Sequence, residues 1–147
     1  MTPTPPRHPG MSATDNERTN DKMKHEITDH ECDALSVVAA KVFLISKEHG
    51  FHDGDEIGEV GLDLGRIAKF CANLHGEVSE LWEAARKGNL FDKCDKEVSL
   101  NCAEEELADV VIRAFDMAHT LGLDIGRAMA LKSAYNERRE HMHGKLA

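Results

Sequence analysis

Apolar residues in this chain recur at steps of three and four in four separate runs, and they nowhere alternate with polar residues over the length of a strand. That period lines one face of a helix, whereas a sheet needs a repeat of two, so the sequence predicts an all-α fold. The first run, "TDHECDALSVVAAKVFLISKEHG", carries Leu35, Val38, Val42 and Ile45 behind Thr28 or Asp29 as N-cap and ends at Gly50. A second helix is expected from about Asp63 to Lys87, where Leu64, Ile67, Cys71, Leu74, Val78, Leu81 and Ala85 keep the step as far as Gly88. Asn101 caps a third, with Leu107, Val110, Val111, Ala114, Ala118 and Leu121 ahead of Gly122. After Asp124 as N-cap, a fourth carries Ile125, Ala128, Leu131 and Tyr135. No Asn-Gly or Asp-Gly turn joins two β-branched runs and no internal repeat is present, so four helices around one core is the economical architecture. Cys71, on the apolar stripe, is expected as a small core residue.

With 147 residues the chain fits one domain. Residues 1–27 are rich in Pro, Thr, Asn and charge and read as a disordered leader, with Met11 and Met23 as alternative starts; 28–147 form the helical domain. "FHDGDEIGEVG" reads as a loop, serving as a lid, an oligomer contact or solvated filler. No stretch approaches the roughly 18 apolar residues of a membrane span. The four cysteines form no CxxC pair or zinc spacing and no secretion signal opens the chain, so a soluble, cytoplasmic protein with reduced thiols is expected. A net charge of −9 argues against a nucleic-acid surface, which needs clustered Lys and Arg. The C-terminal "KSAYNERREHMHGK" holds Lys132, Arg138, Arg139 and Lys145 among acids: too few for a polymer footprint, enough for one triphosphate.

Two short stretches set the chemical question. "HGEVSELWEAA" (75–85) and "EEELADVV" (104–111) each carry two carboxylates three residues apart, Glu77 with Glu80 and Glu106 with Asp109. Such positions share a helix face. Both pairs flank apolar positions, Val78 and Leu81 in one helix, Leu107 and Val110 in the next, which places the acids at the edge of the core. Glu80 lies about seven residues before its helix ends and Asp109 about seven after the next begins. Each span is roughly 10 Å at about 1.5 Å per residue, so an antiparallel hairpin brings the pairs level. Four acids that close repel one another unless a cation lies between them. All-oxygen ligands select a hard ion, Mg²⁺ or Mn²⁺ before Zn²⁺. In a chain with 27 acids a lone E-x-x-E is commonly a solvated face; two pairs at matched levels with apolar flanks favour a divalent-metal cage. The rival di-iron plan needs Glu-x-x-His on two helices, and neither His75 nor His119 stands at that offset.

Glu77-x-x-Glu80, about 25 intervening residues and Glu106-x-x-Asp109 together resemble the all-α nucleoside triphosphate pyrophosphohydrolases of the MazG-like superfamily. The ending is similar to the K-x-x-Y-N-x-x-R-x-x-x-H-G-K of small MazG-like proteins, matching at Lys132, Tyr135, Asn136, Arg139, His143, Gly144 and Lys145, with Glu140 where Pro is frequent. The resemblance spans about residues 30 to 145. It implies a four-helix-bundle-like fold, a homodimer or homotetramer with sites near subunit boundaries, and Mg²⁺-dependent cleavage of a (d)NTP to the (d)NMP and pyrophosphate in nucleotide-pool house-cleaning. On this reading Glu77, Glu80, Glu106 and Asp109 hold Mg²⁺, with Mn²⁺ as substitute, and Glu77 or Glu80 takes a proton from water. Lys132, Asn136 and Arg139 fall at i, i+4 and i+7 and with Tyr135 and Lys145 are expected to bind substrate, against the alternative of a solvated helix end. Trp82 either stacks a base or anchors a core or interface. Two rivals stay open: a pyrophosphatase dedicated to dUTP, dCTP or phosphoribosyl-ATP, and a non-catalytic module that senses nucleotides or binds a partner through its first helix.

Overall fold

The computed structural model describes residues 25–53 and 64–139. Residues 1–24 of the expected leader, 54–63 of the loop and the last residues, including Lys145, lie outside that set. Helix α1 (Asp29–Glu48) starts at Thr28, whose hydroxyl accepts from the Glu31 amide while the Glu31 carboxylate accepts from the Thr28 amide. This reciprocal cap satisfies two backbone donors that the helix itself cannot pair. Helix α2 (Leu64–Lys87) follows, then α3 (Cys102–Thr120) and α4 (Ile125–Glu137). Asn101 and Glu104 repeat the capping box on α3, and Asp124 accepts from the Arg127 amide on α4. Gly50, Gly88 and Gly122 follow the first three helices with φ of 80°, 78° and 67°, the left-handed conformation that closes a helix without a Cβ penalty.

The described residues are all-helical apart from turns and one isolated bridge, Lys93 with Asn101. Helix α3 is central: α2 packs on one side of it and α1 on the other, and α4 packs mainly on α1. Among the described residues α2 touches no helix but α3. The four helices expected from the periodicity are present, laid out among the described residues as a row, α2–α3–α1–α4, in which α4 also meets α3.

Burial follows from that row. Among the described residues the buried apolar ones are Ala39, Ala84, Cys94 and Ala118, and no large side chain is fully buried. Val38, Ile45, Val78, Leu107, Val111, Leu131 and Tyr135, expected inside, are exposed. Cys71 is exposed too, which overturns its reading as a core residue. Helix α2 carries two apolar stripes: Ile67, Phe70, Leu74, Leu81 and Ala84 are partly or wholly covered, while Cys71, Val78, Trp82 and Ala85 face solvent. One neighbouring helix can cover only one stripe.

The crossing of α1 and α4 depends on a missing side chain. A Cβ added at Gly126 would overlap the Cys32 carbonyl, with the Cys32 Cα and carbonyl carbon at 2.9 Å. Backbone cannot rotate away as a flexible side chain can. Gly126→Ala is expected to lower stability by about 1–3 kcal/mol, the range for overpacking, and a urea melt showing no loss would refute the close approach.

Candidate metal centre

The seam between α2 and α3 is fastened where the connection of residues 88–101 folds back on the start of α3. Cys102 and Ala103 donate their amides to the carbonyls of Asp92 and Leu90, at 3.0 and 2.9 Å, and Cys94 donates to Leu100. First-turn amides of α3 are thereby satisfied, and Lys96 is delivered to the same end of the helix.

Both predicted carboxylate pairs converge on this seam. Ligand oxygens of Glu77, Glu80 and Glu106 lie within 4.8 Å of one another, and so do those of Glu105, Glu106 and Asp109. Glu106 belongs to both groups and is the pivot. Burial pushes its carboxyl above the usual carboxylate range, and the charges of Glu80, Asp109 and Glu77 act in the same direction against the pull of Lys96. Its Oε2 is buried with no hydrogen-bond partner. A buried, unpartnered carboxylate oxygen among like charges is costly in water-free surroundings. It is also what a cation ligand looks like before its ion is counted, and the oxygen-only donor set fits a hard divalent ion.

Two cations already relieve part of the charge. Arg113 Nε donates to Glu77 Oε1 at 2.8 Å, with the two side chains 25% and 12% exposed. Lys96 Nζ pairs with Oε1 of Glu105, which is 7% exposed. No hydrogen bond or ion pair engages Glu80 among the described residues. The two acids of α2 therefore differ: one is clamped and one is free.

A second buried polar pair lies further along α3. His52 Nε2 donates to Asp116 Oδ1 at 2.8 Å, both side chains 5% exposed, beneath the rings of Phe43 and Phe70. The start of the expected loop, Phe51–Asp53, is thus pinned to α3 through His52.

The basic residues of α4 form a separate group. Lys132 Nζ and Arg139 Cζ lie 4.8 and 5.7 Å from the centroid of the Tyr135 ring, and these three with Asn136 are exposed. Among the described residues helix α4 meets α1 and, more sparsely, α3, and does not reach α2. Trp82 is 64% exposed on α2. Of the two histidines weighed as ligands, His119 packs near Phe43, its ring centroid 4.7 Å away, and His75 is exposed on α2.

Sequence reasoning missed Glu105, Lys96, Arg113, Asp116 and His52. Part of the signal was present: Glu106, Asp109, Arg113 and Asp116 continue the acidic pair at steps of three, four and three, one charged stripe along α3. Lys96 and His52 sit in turns, where no period marks them.

No family model, curated protein or solved structure matches this chain.

A raised acid holds its proton more tightly folded than unfolded, so stability falls as pH rises through the window between the two pKa values. Removing the charge should reverse that loss. Glu106→Gln is expected to raise the Tm of EDTA-treated protein at pH 7, and the gain should shrink as the pH is lowered and the Glu106 carboxyl takes up its proton. Equal melting temperatures at pH 7 would contradict this electrostatic account.

Proposed function

We propose that the chain is a Mg²⁺-dependent nucleoside triphosphate pyrophosphohydrolase that converts a (d)NTP to the (d)NMP and pyrophosphate, as its resemblance to MazG-like proteins implies. The observation that carries the reading is the buried, unpartnered Oε2 of Glu106 among converging carboxylates. Glu77, Glu80, Glu106 and Asp109 would hold the ion, and Glu105 stands close enough to share in it. When bound, the divalent ion neutralises phosphate charge and lowers the pKa of a coordinated water.

The chain's own residues supply the rest. Arg113 holds Glu77 in one orientation. Glu80, exposed and free of partners, is the better placed of the two candidates for general base: a carboxylate oxygen takes the proton of a water whose oxygen attacks the α-phosphorus as the bond to the β-phosphate bridging oxygen breaks. Lys132, Asn136 and Arg139 then bind phosphate oxygens, Tyr135 holds the two cations in place through its ring, and Lys145, outside the described residues, is assigned to the same role by the resemblance alone.

Association of several copies would bring that basic end to the carboxylates of a neighbour. The uncovered apolar stripe of α2, with Val78 and Trp82, and the absence of any fully buried large side chain among the described residues support a homodimer or homotetramer. In that setting Trp82 serves as an interface anchor or stacks a base at the subunit boundary.

Pyrophosphate release from a panel of canonical and damaged dNTPs and NTPs, with Mg²⁺ or EDTA, tests the reaction. Metal-dependent turnover is expected, with losses of at least ~100-fold in Glu80→Gln and Asp109→Asn, the scale of a lost general base or metal ligand. Nucleotide binding without turnover of any member would point instead to a sensing module. Light scattering on a sizing column should give a mass that is a multiple of 16.3 kDa, and a monomer at micromolar concentration would rule out the assembly.

A further inference from the structure

Arg113 stands where an arginine is least expected in a cation site. It occupies the α3 stripe four residues beyond Asp109, and its Nε donates to an oxygen of Glu77, a proposed ligand. A positive charge beside a divalent ion repels it. If Arg113 acted through charge alone, it would compete with the metal, and its removal would tighten metal binding.

The surroundings of the guanidinium suggest a different role. Its Cζ lies 5.1 Å from the centroid of the Phe51 ring, within the range of a cation–π contact. Phe51 is itself held: Lys69 Nζ donates to its carbonyl at 3.4 Å, and the next residue, His52, is buried against Asp116 one turn along α3 from Arg113. The guanidinium therefore sits between a fixed aromatic and a carboxylate, and it uses its directional Nε–H rather than a loose ammonium contact. One oxygen of Glu77 is taken, which fixes the carboxylate plane and leaves the other oxygen for an ion.

Building on the metal-site reading above, we infer that Arg113 is a positioning residue: it orients Glu77 as a metal ligand and ties that orientation to the turn at Phe51 and His52. Ligand carboxylates are commonly oriented by hydrogen bonds from outside the coordination sphere, and loss of such a partner typically weakens metal affinity by about 10–100-fold.

The two roles predict opposite signs, and Mn²⁺ titration by calorimetry or electron paramagnetic resonance on the full chain, without substrate, separates them. Arg113→Ala should weaken Mn²⁺ binding by about tenfold or more. Arg113→Lys keeps the charge but lacks the Nε–H, and should recover only part of the affinity. Phe51→Leu, a change at an exposed side chain that leaves every ligand in place, should weaken binding by a smaller factor, roughly two- to fivefold, the scale of an exposed cation–π contact of about 0.5–1 kcal/mol. Circular dichroism checks that each variant keeps its helices, and the Phe51 variant tests the coupling even where Arg113→Ala unfolds. Tighter or unchanged Mn²⁺ binding in a folded Arg113→Ala protein would overturn the positioning role while leaving the metal site intact. Absence of Mn²⁺ binding in the unsubstituted protein would remove the metal site itself, and the inference with it.

Discussion

Mutual repulsion among carboxylates at the α2–α3 seam is the constraint on which the other features depend. Glu77, Glu80, Glu105, Glu106 and Asp109 converge on a few ångströms of one helix pair. Left alone, such a cluster drives the helices apart or takes up protons. The chain answers with Arg113 on one side and Lys96 on the other, each reaching a different member, while Glu106 keeps an oxygen with no partner. The compensation is incomplete: the Glu106 oxygen without a partner stands among like charges, where the cost of leaving it so is greatest.

The fold places that seam at one edge of an open row of helices. Because α3 lies between α2 and α1, its two sides do different work: one meets α2 and bears the carboxylates, the other packs on α1. The cost is a thin interior: among the described residues the buried apolar positions are alanines and a cysteine, and Ser46, His52, Glu105 and Asp116 are buried beside them. Apolar side chains on α1, α2 and α4 remain uncovered in the single chain. At that seam Glu80 is exposed, while Glu105 and Oε2 of Glu106 are buried.

How much of this could be read in the sequence depended on the range of the interactions. Helix ends were legible because capping is local: Thr28 with Glu31, Asn101 with Glu104 and the glycines at 50, 88 and 122 act within a few residues of themselves. Convergence of the two acidic pairs was legible as well, since helix rise and a hairpin fix their levels. Burial was not. Periodicity shows that Cys71, Val78 and Trp82 share a face but says nothing of what covers it, and in one chain nothing does. The partners of the acids were harder still: Arg113 meets Glu77 across 36 positions and His52 meets Asp116 across 64, distances at which no local pattern operates.

The direction of α3 gives the two acid pairs unequal support. Glu104 and Glu105 stand in the first turn of α3 and Glu106 just beyond it, at the end where the backbone dipoles of a helix leave a partial positive charge. Glu77 and Glu80 stand past the midpoint of α2, where the backbone offers no such field, and Glu77 relies on a single guanidinium instead. Glu105 is paired with Lys96, while Glu106 and Asp109 lie beyond the first turn, where that field fades. On α2, Glu77 is held by a guanidinium that also rests over the Phe51 ring. A change in the turn at residue 51 therefore reaches the carboxylate seam from the α2 side, through Arg113, and leaves the Lys96 contact at the start of α3 in place.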